Sequence, residues 1–387
     1  VRRPDWSSAR RLAFDATASL PAAEVALAEA IGQRLAAPLV ALCALPHYAS
    51  SAMDGWAVAG PPPWRITDDL PLAPGLCRPI VTGAAIPTGT TAVLRSEHAA
   101  VLGDRLDVTG DARPDEPRPG EHVRQPATEA ALGERLIDAG TLLTPAHLAL
   151  AASAGHDTLS VVRRPRVALV LTGDEVVPSG IPPAGRVRDS FGPVLPALLA
   201  SLGAITAGVV HLRDDPAALR AALLDTASGA ELLVSTGGTG DSSADHLRAV
   251  LSELGAVLLV DGVRMRPGGP SILARLPDGR LVLGLPGNPL AAMMGILTLG
   301  VPLLARMTGG PFPEAATVTA AEPLPGRADT SFLVPYRLTG AGAGAVATDH
   351  RGAAMMRGLA AADGVLVCPP SGLEPGQAAA SIGLPWR

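Results

Sequence analysis

ELLVSTGGTGDSSAD, residues 231–245, decides how this chain is read. An apolar run, Leu232, Leu233 and Val234, ends in Ser-Thr-Gly-Gly-Thr-Gly, and two acids, Asp241 and Asp245, precede the helix-like segment HLRAVLSELG. A buried strand that passes through a glycine turn into a helix N-terminus directs backbone N–H groups at an anion. Glycine lets a phosphate or other oxyanion approach the backbone closely. Neighbouring carboxylates can hold a hydrated Mg2+ that bridges to that anion. The same stretch also reads as a tight strand–helix turn whose aspartates cap the helix.

Around this stretch, strand-like and helix-like segments alternate over residues 165–310. The strand-like runs are RVALVLTG, AITAGVVH, ELLVST, AVLLVDGV and LVLGLPG. Between them lie GPVLPALLASLG, DPAALRAALLDTA and ADHLRAVLSELG. Continuously apolar strands separated by helices predict a parallel sheet covered on both faces. Ligands bind such sheets at the carboxyl ends of the strands, where LTGDE and STGGTGDSSAD both fall. Asp215 followed by Pro216 reads as an N-cap and first helical residue.

The flanks differ. Residues 7–37 read as helical, with Leu20, Val25, Leu27 and Ile31 as apolar positions, and helix and turn segments return after residue 127. Between them, residues 46–126 hold short strands separated by Gly and Pro turns. The expected organisation is an elongated helical domain, 1–45 and 127–164, with a β domain inserted at 46–126. Residues 311–387 are β-like and short, which predicts a small barrel or sandwich.

Composition narrows the function classes. All 31 basic residues are Arg, so no Lys is available as a Schiff-base nucleophile or phosphate ligand. The net charge is −5 and no basic run occurs, which argues against nucleic acid or an anionic membrane as a partner. Cys43, Cys77 and Cys368 form neither a CxxC pair nor a disulfide framework and suit a reducing cytoplasm. The polar opening VRRPDWSSARR has no apolar segment behind it, so a secretory leader is not expected. The apolar run at 290–305 contains Pro302, is shorter than the ~20 residues of a membrane span, and reads as a buried helix.

Five further segments carry chemistry together: SAMDGWAV (51–58), TGAAIPTGTTAVLRSE (82–97), LTGDEVVPSG (171–180), RDSFGPVL (188–195), and the pair MRPGGP (265–270) and GLPGNP (284–289). In this order the chain resembles the MoeA family of molybdopterin molybdenumtransferases, which includes the gephyrin E domain, over nearly its whole length. The GGTG loop is also similar to the MogA-type domain that adenylylates molybdopterin. The resemblance implies a multidomain α/β plus β fold: a MogA-like parallel α/β domain at 165–310, the elongated helical domain with its inserted β domain, and a small C-terminal β barrel. It implies a cytoplasmic homodimer whose active sites are shared between subunits, with a MogA-type adenylyltransferase as a further partner. The implied reaction is Mg2+-dependent insertion of molybdate into adenylylated molybdopterin with release of AMP.

By the same resemblance, Asp54, Glu175, Asp214 and Asp245 match the functional acids. Glu175 and Asp245 are assigned to metal and nucleotide, Asp54 to completing the site from the partner subunit, and Asp214 to organising its loop. Thr82, Thr172, Gly173, Ser235, Gly237, Gly238, Thr239, Arg266, Pro286 and Pro289 are the implied substrate-binding positions. Each also has an ordinary reading. Asp54 can stabilise the turn before Gly55, Glu175 can be a surface residue, Asp214 can be a cap, and the two prolines can brace a strand–helix connection. All eight histidines read as structural or exposed, and no Ser–His–Asp grouping is evident.

Several positions depart from the family pattern. Ala127, Thr128 and Glu129 stand where Gly, Glu and Asp are expected. Gly269 replaces the second Lys of KPGKP, Ala291 replaces a Ser, and Phe191 replaces an Asn. FLVP and RGAAM differ in the C-terminal part. The lost groups suit an oxyanion such as molybdate. A molybdopterin-binding or scaffold homologue with weakened transfer is therefore the alternative expectation.

Overall fold

The computed structural model describes residues 3–225, 227–239, 246–340 and 344–387. The chain divides into two compact units, one of residues 1–23, 32–34 and 161–387, the other of 24–31 and 35–160.

The first unit is built on a six-stranded sheet. Arg166–Thr172 lies between Ile205–Leu212 and Leu232–Thr236, and Leu281–Leu285 follows; these four strands are parallel. Val167, Leu169 and Leu171 face one core and Val170 the other, as period two requires. Leu195–Ser201 and the long helix Pro289–Met307 cover the first face; Pro216–Leu224 and Leu247–Glu253 cover the second. The Asp215 carboxylate caps its helix by accepting from Ala217 N–H at 2.9 Å.

The expected all-parallel sheet needs one correction. Ile272–Arg275 runs antiparallel beside Leu281–Leu285, and Val257–Asp261 pairs antiparallel with it at the edge. The cause is local. Pro277-Asp278-Gly279 makes a tight turn, with Gly279 at φ +91° and Leu276 N–H donating to Arg280 O at 2.9 Å. An Asp-Gly pair between apolar runs is a hairpin signal.

Pro289–Met307 has 19 residues and is long and apolar enough to cross a membrane, yet 83% of its apolar window is buried inside the protein. Its centre, Ile296–Gly300, widens to a π turn. Gly295 lies there because a Cβ would come within 2.4 Å of Ser271 Oγ.

The N-terminal helical expectation is also corrected. Only Trp6–Asp15 is a regular helix, capped by Asp5, which accepts from Ser8 N–H at 2.8 Å. Its small residues Ala9 and Ala13, and the C-cap Ala16, pack with Trp6 into the core of the first unit. Ala22–Ala26 is a strand with alternating exposure, and Leu27–Ala30 is a single helical turn. Thr17, Ser19 and Pro21 break the periodicity that Leu20 and Val25 had suggested.

In the second unit, six strands between Gly55 and Val108 form one sheet, ordered Ala92–Arg95, Gly55–Val58, Leu76–Ile80, Trp64–Ile66, Arg105–Val108, Ala99–Leu102. Val58, Trp64, Cys77, Leu94 and Leu106 fill one side; Ala57, Leu72, Ile80 and Val93 fill the other. The final part of the chain is a sheet in which Ser331–Leu338, Gly364–Cys368, Ala378–Ile382 and Ala316–Thr319 are successive antiparallel neighbours. Ala345–Ala347 pairs with the first of these strands, and a bridge from Ala345 to Ala320 joins it back toward the last. Met265–Arg266 pairs with Ser331 and Phe332, tying this sheet to the α/β sheet.

Candidate functional site

A cavity of about 860 Å³ opens at the carboxyl ends of the parallel strands. Each strand delivers a loop to it. Thr172, Gly173 and Glu175 come from the first, Asp214 from the second, Gly237, Gly238 and Thr239 from the third, and Pro286 and Pro289 from the fourth. Nine of the residues singled out from the sequence therefore meet in one wall.

Backbone and hydroxyl bonds lock these loops together. Thr172 Oγ1 donates to Thr236 O at 2.9 Å, Gly173 N–H to Leu212 O at 3.3 Å, and Gly237 N–H to Leu285 O at 2.9 Å. Gly237 has φ +88°, and a Cβ there would sit 2.6 Å from Thr172 Oγ1. The glycine is required by that close approach. Asp214 Oδ2 accepts from Asp174 N–H at 3.2 Å, so it braces the TGDE turn. The Glu175 side chain is exposed and holds no hydrogen bond or ion pair among the described residues.

One expected member of the glycine loop is not in this wall. Ser235 is 1% exposed and lies outside the cavity lining, and its hydroxyl has no partner among the described residues. Adjacent strand residues point to opposite faces, and it is Thr236 that reaches the cavity. Asp245, with Asp241, lies outside the described residues.

The RDSF segment brings a buried carboxylate to the site. Asp189 is 7% exposed. Its Oδ1 accepts from Phe191 N–H at 2.8 Å and Gly192 N–H at 3.0 Å, and its Oδ2 lies 2.9 Å from His211 Nε2. Burial pushes the Asp189 carboxyl up, but the Gly192 amide, His211 and the Phe191 amide outweigh it and hold the group below the usual carboxylate range. Arg188 also lines the cavity; its Nη1 donates to Asp189 O at 2.9 Å. The Asp-x-Phe spacing carried this information, because a carboxylate two residues before a turn's N–H groups is an Asx motif.

No group of three or more His, Cys, Asp or Glu side chains that could hold a metal ion occurs among the described residues. Mg2+ keeps much of its water and takes one or two carboxylates together with substrate phosphates. The uncommitted carboxylate of Glu175 fits that demand.

A second cavity, about 920 Å³, shares Pro270, Pro286 and Asn288 with the first. Five arginines line it, Arg3, Arg264, Arg266, Arg327 and Arg351, and no Asp or Glu is among the described lining residues. Arg264 also pairs with Asp329 at 3.3 Å. Arg266, singled out from the sequence, belongs to this cavity; Arg327 and Arg351 join it from segments far along the chain, and no local spacing links them to Arg266. Gly269 has a physical reason: a Cβ would come within 2.8 Å of Met265 O.

Asp54 and Thr82 lie in the other unit and meet each other. Asp54 is exposed, and its Oδ1 accepts from Thr82 N–H at 2.6 Å. That amide and the Thr82 hydroxyl hold the carboxyl below its ordinary value. Gly55 follows with φ +153°, where a Cβ would lie 2.0 Å from Leu94 O.

Comparison with known proteins bears on both units. The family described as MoeA N-terminal region (domain I and II) matches residues 5–155, and the family described as "Probable molybdopterin binding domain" matches residues 168–306. A molybdopterin molybdenumtransferase of Nostoc is 32% identical over 301 residues, 72% of this chain and 67% of the relative. One from Synechococcus elongatus is 33% identical over 312 residues, 74% of this chain and 76% of the relative. A solved structure of the molybdopterin biosynthesis MoeA protein from Pyrococcus horikoshii has the same fold, with a TM-score of 0.77 and 24% identity over 98% of this chain and 99% of that one.

Proposed function

The chain belongs to the molybdopterin molybdenumtransferase family, and from that premise we propose that it inserts molybdate into adenylylated molybdopterin with release of AMP, in a Mg2+-dependent reaction. The observation that carries the proposal is the pair of cavities that share Pro270, Pro286 and Asn288. One has a glycine-rich wall with carboxylates beside it and suits a phosphoanhydride with its cation. The other is lined by arginines and suits the oxyanion.

Breaking a phosphoanhydride requires charge on the phosphate oxygens to be neutralised. Glu175 and Asp245 would hold Mg2+, which supplies that neutralisation when bound. The amides of Gly238 and Thr239 orient the phosphates, Gly237 lets their loop lie close against Thr172, Thr172 and Asp214 keep the two flanking loops in place, and Pro286 and Pro289 stiffen the passage toward the arginine cavity. Asp54, fixed by Thr82, completes the site from the partner subunit of a homodimer. The protein works in the cytoplasm and receives its substrate from a MogA-type adenylyltransferase. The four-part domain division set out from the sequence belongs to the same proposal.

The second reading, a molybdopterin-binding scaffold, is favoured by Gly269, Ala291 and Phe191. Arg327 and Arg351 weigh against it, because they put cations where the motif lysine is missing. The deciding experiment is reconstitution with purified protein, adenylylated molybdopterin, molybdate and Mg2+. Molybdate-stimulated AMP release with formation of active cofactor is expected. Binding of the adenylate without molybdate-stimulated release would select the scaffold.

A further inference from the structure

We propose that His211, held by Asp189, is the side chain that contacts the nucleotide phosphate in the α/β cavity of this chain. The inference rests on the functional reading above. An ionised carboxylate only accepts hydrogen bonds, so the His211 nitrogen 2.9 Å from Asp189 Oδ2, Nε2, carries a hydrogen. The ring is thereby oriented by a carboxylate that is itself fixed by two backbone amides. Nδ1 has no hydrogen-bond partner among the described residues, and the side chain is 47% exposed in the cavity wall.

Few other side chains in this wall are placed to donate to a bound anion. Among the described lining residues of this cavity, the only other basic side chain is Arg188, and its Nη1 is engaged with the carbonyls of Val177 and Asp189. Asp214 is turned to the Asp174 amide, and Glu175 is the carboxylate assigned to the metal. The chain has no Lys to take the role. A doubly protonated imidazole donates through Nε2 to Asp189 and through Nδ1 to a phosphate oxygen, linking a buried anion to a bound one. Phe191, at the position where the family pattern has Asn, brings no polar group, so the donor comes from the neighbouring strand instead.

Calorimetry of AMP and of adenosine, with Mg2+, on the full chain tests this. His211→Ala is expected to weaken AMP binding about tenfold and to leave adenosine binding unchanged. His211→Gln, which keeps an N–H donor, should lose less, and added imidazole should restore part of AMP binding to the His211→Ala protein. Asp189→Asn should give an intermediate loss, with circular dichroism reporting its fold. AMP affinity equal in wild type and His211→Ala, or a parallel loss for adenosine, overturns the inference. If reconstituted turnover is normal in that case, the functional reading stands alone. If the wild-type protein binds neither ligand and releases no AMP, both fall.

Discussion

Asp214 and Asp215 are adjacent and do different jobs. Asp215 caps a helix, and Asp214 receives the amide of the TGDE turn. Asp215→Ala should cost ~1 kcal/mol of stability with little effect on turnover. Asp214→Ala should leave the denaturation midpoint nearly unchanged and lower AMP release at least tenfold, because Glu175 rides on the turn it braces. Chemical denaturation and the reconstitution assay, run on both variants, separate the two roles; equal turnover in the two would contradict the assignment. A third acid, Glu116, shows what burial does in the other unit. Its side chain is 2% exposed and meets Arg95 Nε at 3.2 Å and His98 Nδ1 at 2.7 Å. Burial pushes the carboxyl up, but Arg95, His98 and the Arg113 amide outweigh it and hold it at about 2 against an ordinary 4.5. A depressed carboxylate contributes stability that is complete above its unfolded value and disappears as pH falls through the folded one. Melting temperature of the wild type should therefore drop between pH 4.5 and pH 2. Glu116→Gln should flatten that drop, at a loss near neutrality of roughly 4 °C per kcal/mol. An unchanged acid profile in the variant would rule the pair out as its source.

At the scale of elements, the glycines after the strands set how closely loops approach. Gly237 closes the gap between two parallel strand ends, and Gly55 lets the turn after Asp54 lie against Leu94. Gly55→Ala is expected to cost ~2 kcal/mol or more, since both φ and the contact oppose a side chain. Gly237→Ala should lose activity beyond what its stability loss explains, and AMP binding by calorimetry measures that excess. Pairing Gly237→Ala with Thr172→Ser, which retains Oγ1, should give no rescue, whereas Thr172→Ala should relieve the contact and recover part of the fold. The helix after GLPGNP was legible from its apolar run. The antiparallel strand Ile272–Arg275 was less so, because four residues carry too little period to separate a strand from a loop. The Asp-Gly turn beside it was the readable sign.

For the whole molecule, the proposal requires Asp54 and the α/β cavity to act together across a dimer. Asp54→Asn and Glu175→Gln should each abolish most AMP release as pure proteins. Mixed and allowed to exchange subunits, they should regain about a quarter of wild-type activity if exchange is statistical, because each hybrid carries one intact site. Light scattering should give twice the mass of one 39.1 kDa chain. A stable monomer at micromolar concentration, or a mixture as inactive as its parents, would remove the shared site.

The sequence alone determined the alternation of strand and helix, the glycine turn at the strand ends, and the motif order that leads to the family. These are local or collinear signals: apolar period, turn residues and spacing survive without knowledge of what packs against what. Tertiary structure decided where side chains finally point. Ser235 and Thr236 are neighbours in one motif, and the pleat sends only the second to the cavity. Asp189 and His211 are 22 positions apart and meet only because their segments converge at the sheet's edge. Arg266, Arg327 and Arg351 come from separate segments to one basic cavity. Electrostatic and hydrogen-bond partners of this kind are set by distance in space, and distance along the chain carries almost none of that information until the core has packed.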